Sequence, residues 1–433
     1  MSPVRRRGRA GGRPVPPPLR YRPARRTDIE TLVDLSLRAY RVSSAEARRE
    51  FYGEHPRFGL RDVRVGELDG EIVASLVLYP LQAWVRGARV PVTGIGSVAV
   101  SPEHRRRGVA DALVRASLRD MRQRGDALCM LYSFRGDFYR RYGWGLVETP
   151  VMLSVPPALL PASDEARRVR RLRMPDRPLV QELYERHARE RGHFALARRP
   201  EWWERRLWGY EGEWIVYERG RGQIEGYLHA QVDSGEGPWK LVVTVNEYVA
   251  HTPDAHRGLT GYLHGLRDQV VEVVMSTPAD APWLAQFADA ANLRGDLKLS
   301  VVRSSGHVGY GAMLRLLDVK AALEAFPVSP QARGEVVLEV TDDVLPQNER
   351  AWLAHARDGR IAVRAESARS SASRARRPHL AASAETLATI VAGAVSPQRA
   401  VEAGLAHDVR GAAEILDHWF RARPAFVMPM NGF

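Results

Sequence analysis

The stretch SVAVSPEHRRRGVADALVRASL, residues 97–118, joins an apolar run to an amphipathic run through a basic turn. The alternating valines predict a strand, and the apolar spacing after Gly108 predicts a helix. The first turn of a helix presents unpaired backbone N–H groups, a glycine lets a ligand approach closely, and arginines add charge-assisted hydrogen bonds. A charge run alone is more often a solvated surface. In this strand–turn–helix context we instead expect residues 105–110 to bind a pyrophosphate.

The residues on either side of this turn predict a mixed α+β domain. Residues 28–40 place apolar side chains along one helical face. Residues 64–100 are typical of successive antiparallel strands, with turns at Asp69 and Gly70 and again near Gly87. Residues 127–133 predict a short buried strand, and residues 136–144 predict a short helix that Gly143 ends.

Composition limits the class of protein. The 433 residues exceed one ordinary core, so two or three domains are expected. The net charge of +13 invites a nucleic-acid interpretation, but residues 1–26 hold nine arginines and no acid, which leaves +4 for the rest. Nucleic acid is therefore an unexpected partner, and the basic tail is expected to be disordered.

The single cysteine excludes an intramolecular disulfide, and scattered histidines argue against a metal site. We found no membrane span or secretory signal and expect a cytoplasmic protein.

The remainder of the chain forms two further blocks. Residues 156–168 are rich in helix breakers and predict a linker. In the next block, residues 246–270 repeat the strand, proline, turn and helix layout of the opening stretch, with His256 in place of Arg105 and Leu259 in place of Gly108, which indicates a related domain that has lost its ligand. In the third block we expect strands in residues 335–343 and 360–366. After a polar loop at 367–378, we expect one helix in residues 383–396 and one in 397–420.

The opening motif resembles a known enzyme family. Val98 and Val100 followed by R-x-x-G-x-A are similar to the acetyl-CoA motif of the GNAT N-acetyltransferases, and GDFYRRYGWG, residues 136–145, resembles the family's next helix. The whole layout resembles the Eis (enhanced intracellular survival) branch. That resemblance implies an α+β fold with two tandem GNAT-like domains, the second degenerate, plus a C-terminal sterol-carrier-protein-like α/β domain. The implied boundaries are a disordered tail at 1–20, a catalytic domain at 21–155, a degenerate domain at 165–316 and the last domain at 317–433.

The resemblance also implies a co-substrate site for acetyl-CoA. The backbone of Val98 and Val100 would pair with the pantetheine arm as an added strand. Ser133, at the end of the next strand, would also contact the coenzyme. The pyrophosphate would lie among the residues of the turn and the helix start, namely Arg105, Arg106, Gly108, Val109 and Ala110.

Two residues are expected to perform the chemistry. The family motif places its general acid at Tyr139, whose alternative role is a packed aromatic side chain. The Eis branch uses the terminal carboxylate as its base, delivered by the last strand, which corresponds here to Phe433. A frayed terminus is the alternative for that residue.

The function expected is therefore acetyl-CoA-dependent N-acetylation of a primary amine, by direct attack in a ternary complex. The amine could be a small amine, an aminoglycoside-like acceptor or a lysine. A non-catalytic sensor or interaction module that binds acyl-CoA or lipid is the alternative. The family implies a homohexamer.

Overall fold

The structure is a computed structural model that describes residues 18–40, 44–235, 240–287, 305–366 and 376–433. Residues 1–17 of the tail predicted at 1–20 and residues 367–375 of the polar loop lie outside these ranges, and Arg20 is the first residue of a strand. Among the described helices, none has the length and apolar character needed to cross a membrane.

The elements in these ranges are numbered in chain order. The α-helices are α1 (Ile29–Tyr40), α2 (Ala45–Glu54), α3 (Val109–Gln123), α4 (Gly136–Arg140), α5 (Arg177–Arg191), α6 (Pro200–Arg205), α7 (Pro253–Gly265), α8 (Val319–Ala325), α9 (Ala384–Val391), α10 (Pro397–Glu402) and α11 (Ala412–Phe420). The strands are β1 (Arg20–Pro23), β2 (Val63–Leu68), β3 (Glu71–Val85), β4 (Ala88–Val100), β5 (Leu128–Tyr132), β6 (Gly145–Leu146), β7 (Val151–Val155), β8 (Val169–Arg171), β9 (Ala195–Leu196), β10 (Glu213–Gly220), β11 (Gln223–Ser234), β12 (Leu241–Ala250), β13 (Val270–Thr277), β14 (Gly306–Val308), β15 (Ala312–Leu316), β16 (Gly334–Thr341), β17 (Arg350–Arg357), β18 (Arg360–Ala365), β19 (His379–Ser383) and β20 (Ala406–Val409).

The chain divides into two compact units. The first contains Met1–Tyr79 and Ile95–Arg124, and the second contains Pro80–Gly94 and Gly125–Phe433. Strands β1 to β4 are hydrogen-bonded in sequence order, with the later part of β3 and the earlier part of β4 belonging to the second unit, and the β2–β3 hairpin turns at Asp69 and Gly70 as predicted. The apolar stripe of α3 is buried, which confirms the helix predicted from its spacing. Helix α2 was not predicted, because its polar sequence buries only Tyr52.

The second unit contains the remaining strands. Strand β15 lies between β5 and β6 and is antiparallel to both. A second sheet has the order β14-β7-β13-β12-β11-β10-β8, and a third has the order β18-β17-β16-β19-β20. In the second sheet, β12 and β13 run parallel and are connected by α7, which is the layout predicted from the internal repeat.

The prediction of one helix over residues 397–420 was wrong. The structure has helix α10, strand β20 and helix α11 there, with β20 antiparallel to β19. Gly404 and Gly411 both adopt left-handed backbone angles, with φ of +68° and +73°. Left-handed residues interrupt a right-handed helix, so these two glycines turn the chain into and out of the strand.

Candidate active site

The basic turn of the first unit is built as a strand-to-helix connection. Strand β4 ends at Val100, a 3-10 turn covers Pro102–His104, and α3 begins at Val109. Arg106 and Gly108 both have left-handed backbone angles, with φ of +61° and +84°. Gly108 is the N-cap of α3 and, having no side chain, makes no capping hydrogen bond to the first-turn N–H groups.

The three arginines of this turn are all exposed. The Arg105 guanidinium donates to the carbonyl oxygens of Val100 and Ala39 at 3.4 and 3.3 Å. It therefore lies over the end of β4, whereas Arg106 and Arg107 project from the turn itself. Three exposed guanidinium groups beside an open helix N-terminus form an environment that suits a diphosphate.

The predicted pantetheine strand lies at the end of β4. Ser97 interrupts the strand with a left-handed backbone, φ +49°. The Tyr40 hydroxyl donates to the Val98 carbonyl oxygen at 2.6 Å. A carbonyl oxygen accepts two hydrogen bonds, so Val98 retains capacity for a further donor.

The corresponding helix start in the second sheet is closed. The Thr252 hydroxyl accepts a hydrogen bond from the Ala255 N–H at 3.2 Å and donates to Glu225 at 2.9 Å. This threonine occupies the N-cap that a glycine holds at α3. The capping side chain therefore already binds the Ala255 N–H at this helix start, whereas the N-cap glycine of α3 has no such group.

Tyr139 lies in the second unit on α4, and its side chain is 5% exposed. Its ring makes edge contacts with Phe138 and Trp144, with centroids 4.9 and 5.7 Å apart. Burial raises the pKa of the Tyr139 hydroxyl to about 12, and the nearby Cys129 thiol adds to the rise. The hydroxyl is therefore a proton-bearing donor throughout the neutral range.

The Phe433 ring lies beside the end of β5, also in the second unit. Its centroid is 5.5 Å from that of Tyr132, in an edge contact. It also lies against Gly94 of β4, where an added Cβ would come within 2.6 Å of the ring. Ser133 follows Tyr132 directly, and its hydroxyl accepts from the Arg135 N–H at 2.9 Å. The structure thus brings Phe433 next to the strand end that carries Ser133.

The segment that leads to Phe433 is buried. It is not the strand expected from the resemblance: residues 421–428 form no regular element, and a 3-10 turn covers Pro429–Asn431. Met428 and Met430 pack into an aromatic cluster formed by Trp84, Tyr184, Trp202, Trp203, Trp214 and Tyr227. Apolar packing therefore holds the segment inside the protein, and the alternative of a frayed end does not apply to these residues.

Polar contacts fix the same segment. Asn431 is fully buried; its carbonyl oxygen accepts from Arg198 Nε, and its amide donates to the Tyr184 hydroxyl, both at 2.8 Å. The Arg198 guanidinium also pairs with the buried carboxylate of Glu247 on β12. Two residues before Phe433, the chain is thus tied to the second sheet.

Glu148 is a functional candidate that the sequence analysis missed. It is 2% exposed, and its carboxylate accepts from the N–H groups of Val427 and Ala312 at 2.7 and 2.8 Å. The Tyr132 hydroxyl is a third donor. Burial raises the pKa of Glu148, and these hydrogen bonds oppose the rise. Because Tyr132 also contacts the Phe433 ring, Glu148 positions both ends of the last seven residues.

The last two of the three glycines of GDFYRRYGWG, Gly143 and Gly145, have a packing reason. Gly143 has a left-handed backbone, φ +86°, and a Cβ there would lie 2.9 Å from the guanidinium carbon of Arg315. A Cβ at Gly145 would overlap Thr389 and the Glu385 carbonyl of α9. The absence of side chains at these two glycines therefore lets Arg315, and helix α9 of the third domain, pack closely against the segment that follows the Tyr139 helix.

Comparison with known proteins agrees with this geometry. The acetyltransferase (GNAT) domain matches residues 20–147, a second acetyltransferase (GNAT) domain matches 195–316, and the sterol carrier protein domain matches 319–428. An N-acetyltransferase of Streptomyces avermitilis is 31% identical over 353 residues, which cover 76% of this chain and 80% of that protein. The chain belongs to the GNAT family of N-acetyltransferases. This GNAT enzyme also resembles N-acetyltransferase Eis of Mycobacterium tuberculosis, at 29% identity over 66% of this chain and 71% of Eis.

Solved structures share the fold of this N-acetyltransferase. A GCN5-related N-acetyltransferase from Anabaena variabilis superposes with a TM-score of 0.81 at 19% identity, covering 96% of this chain and 100% of the other. Eis1 from Mycobacterium abscessus superposes with a TM-score of 0.74 at 22% identity, over 96% and 100% of the two chains. The Eis-like α+β fold, with two GNAT domains followed by a sterol-carrier-protein domain, is thereby confirmed.

Proposed function

We propose that the acetyltransferase moves the acetyl group of acetyl-CoA onto a primary amine by direct attack in a ternary complex. GNAT acetyltransferases use acetyl-CoA as co-substrate. The observation that carries the proposal is the open N-terminus of α3 behind Gly108, with three exposed arginines in the preceding turn. Val98, Val100 and Ser133 are proposed to contact the pantetheine arm, and Arg105, Arg106, Gly108, Val109 and Ala110 the pyrophosphate.

The amine must lose a proton before it can attack. A lysine-like amine has a pKa near 10.4, so fewer than about one molecule in 10³ is neutral at pH 7. We assign the proton acceptor to the carboxylate of Phe433, directly or through water. Support comes from the burial of Val427, Met428, Met430 and Asn431 and from the contact of the Phe433 ring with Tyr132. The nitrogen then bonds to the thioester carbon as the C–S bond breaks.

The leaving sulfur needs a donor, and we assign this role to Tyr139. The pKa of its hydroxyl is about 12, whereas a thiol such as that of cysteine has a pKa of about 8.5. Full transfer of the proton is therefore uphill by roughly 5 kcal/mol. Tyr139 acts mainly by donating a hydrogen bond to the developing thiolate, which takes its proton from solvent afterwards.

The acceptor class is a primary amine that can be small, aminoglycoside-like or lysine-like. Gly432 precedes the proposed base and contributes no charge, so attraction of a polycation does not come from that neighbour. The resemblance to Eis also supports a homohexamer, which light scattering would report as six times the 48.5 kDa chain mass.

Turnover of acetyl-CoA with a panel of amines tests the proposal. Thiol release by the full chain is followed with four acceptors: spermidine, kanamycin, a peptide with a free N-terminal amine and a peptide that contains lysine. We expect amine-dependent thiol release and an acetylated product by mass spectrometry. Binding of acetyl-CoA by calorimetry without turnover on any amine would instead identify a sensor, and no binding would refute the co-substrate site.

A further inference from the structure

A cavity of about 500 Å³ lies in the second unit, and its described lining residues include neither the start of α3 nor Phe433. Its walls come from three distant parts of the chain. They are the turn between β3 and β4 at Arg86 and Gly87, the end of α5 with the turn after it at residues 189–193, and residues 422–423 after α11. Arg86 and Gly87 fall in the first matched domain and residues 422–423 in the third, whereas residues 189–193 precede the second.

The walls carry a strong excess of positive charge. Four arginines line the cavity, namely Arg86, Arg189, Arg191 and Arg423, and among the described lining residues the one carboxylate is that of Glu190. That carboxylate already lies 3.2 Å from Arg189 Nη2 and 3.6 Å from His251 Nε2. Burial lowers the pKa of His251, so the acid offsets the charge of Arg189 and leaves the other three arginines without a carboxylate among the described lining residues.

Arg86 shows most directly that positive charge exceeds negative charge in the cavity wall. One terminal nitrogen donates to the Pro327 carbonyl oxygen at 2.7 Å. The other terminal nitrogen and Nε are buried and have no acceptor among the described residues. Burial lowers the pKa of the Arg86 guanidinium to about 10, with no carboxylate to offset it.

Two fully buried arginines of this chain, unlike Arg86, each have a carboxylate partner. Arg198 pairs with Glu247, and Arg315 pairs with Asp342, with each guanidinium and carboxylate almost fully buried. Buried charges in proteins are ordinarily paired in this way, because an unpaired charge loses its hydration without compensation. Arg86 departs from that pattern, and the missing partner is an anion.

A second buried group in the wall also lacks a partner. His193 is 3% exposed, and its Nε2 hydrogen-bonds to the Ala392 carbonyl oxygen at 2.9 Å. A carbonyl only accepts, so Nε2 carries the hydrogen and Nδ1 is the unsatisfied atom. Burial and the neighbouring Arg86 lower the pKa of His193 to about 4. An anion in the cavity would oppose both effects and give a protonated Nδ1 an acceptor.

We infer that this cavity binds a small anion bearing phosphoryl groups, with Arg86 as the central contact and the exposed Arg189, Arg191 and Arg423 around it. Guanidinium groups match the paired oxygens of a phosphoryl group, and several of them favour a polyanion over a single carboxylate. The bound anion would also support the terminal segment, because the His193 carbonyl oxygen accepts from the Phe426 N–H at 3.0 Å.

The test uses the full chain and two inorganic probes, phosphate and pyrophosphate. Calorimetry and thermal melting are run in chloride buffer of matched ionic strength, with the protein first saturated with acetyl-CoA so that the α3 site is filled. We expect binding that survives this saturation, and a higher melting temperature in pyrophosphate than in phosphate. Separate titrations with phosphate and with pyrophosphate show whether the cavity prefers a single phosphoryl group or a diphosphate.

Arg86→Gln is the decisive variant, and Arg364→Gln on the exposed face of β18 is its matched control. Without the probes, R86Q should melt no lower than the parent, because it removes a charge that nothing offsets. With pyrophosphate, R86Q should bind at least tenfold more weakly, while R364Q should bind like the parent. Equal binding by R86Q and the parent, or complete displacement of the probes by acetyl-CoA, would overturn the assignment.

Discussion

Arg198 Nε donates to the Asn431 side-chain oxygen at 2.8 Å, and both residues are buried. The two positions are 233 residues apart in sequence. Their contact joins the terminal segment to the ion pair that Arg198 forms with Glu247 on β12. The proposed base is therefore tethered through Asn431 to Arg198 and Glu247, which lie in the second matched acetyltransferase domain.

Asn431→Ala should lower both stability and turnover. The change leaves Arg198 Nε buried without an acceptor, which costs about 1–3 kcal/mol. Urea unfolding and kcat measure the two effects. Asn246→Ala is the control. Asn246 lies on β12 beside Glu247, and its side chain makes a single long contact, 3.4 Å from His229. A full kcat in N431A would show that the terminal segment needs no such tether.

A Gly-Ser-Gly extension after Phe433 should reduce kcat by about 10²-fold or more, because it converts the terminal carboxylate into a neutral amide and removes the proposed base. The same extension placed at the N-terminus should leave kcat unchanged. Steady-state thiol release measures both. Similar kcat values for the two extended chains would assign the base elsewhere, with Glu148 as the next carboxylate to examine.

Tyr139→Phe should lower kcat by about 10²–10⁴-fold with little change in the KM for acetyl-CoA. Tyr142→Phe, at another buried tyrosine three residues on, is the control. Because the pKa of Tyr139 is about 12, its hydroxyl stays protonated at pH 6–10, and kcat/KM should rise with pH as the amine loses its proton. An alkaline decline with a midpoint below pH 10 that vanishes in Y139F would contradict this assignment.

Gly108→Ala should raise the KM for acetyl-CoA about tenfold, because a Cβ at φ +84° strains the turn that presents the α3 N–H groups. Gly125→Ala offers a close match: Gly125 has the same φ of +84° and open space around its Cβ position. Both changes should cost about 1 kcal/mol of stability. A rise in KM shared by the two variants would mean that strain alone, and not the phosphate site, is responsible.

Local features of the chain could be read from the sequence. The β2–β3 turn, the apolar stripe of α3 and the strand–turn–helix order around Gly108 each depend on residues close together in the chain. The same is true of Tyr139, which lies on the short helix predicted for it. Such features follow from backbone preferences and periodicity, which act over a few residues.

Features that depend on distant partners could not be predicted. Glu148 shows no motif, and its importance appears only when Val427 is found to donate to it across 279 positions. The glycines at 143 and 145 could be recognised as a motif, but the reason for them lies in Arg315 and α9. By contrast, Gly404 and Gly411 were visible signals that the segment 397–420 could not be one helix.

The position of β15 between β5 and β6 affects how the protein is made. Residue 312 pairs with residue 132, so a ribosome synthesises about 180 residues after one strand before its neighbour exists. At roughly 5–20 residues per second, the nascent chain waits about 10–40 s with that apolar edge open. An open edge invites pairing with other chains, so a fragment that ends before residue 312 is expected to aggregate more readily than the full chain.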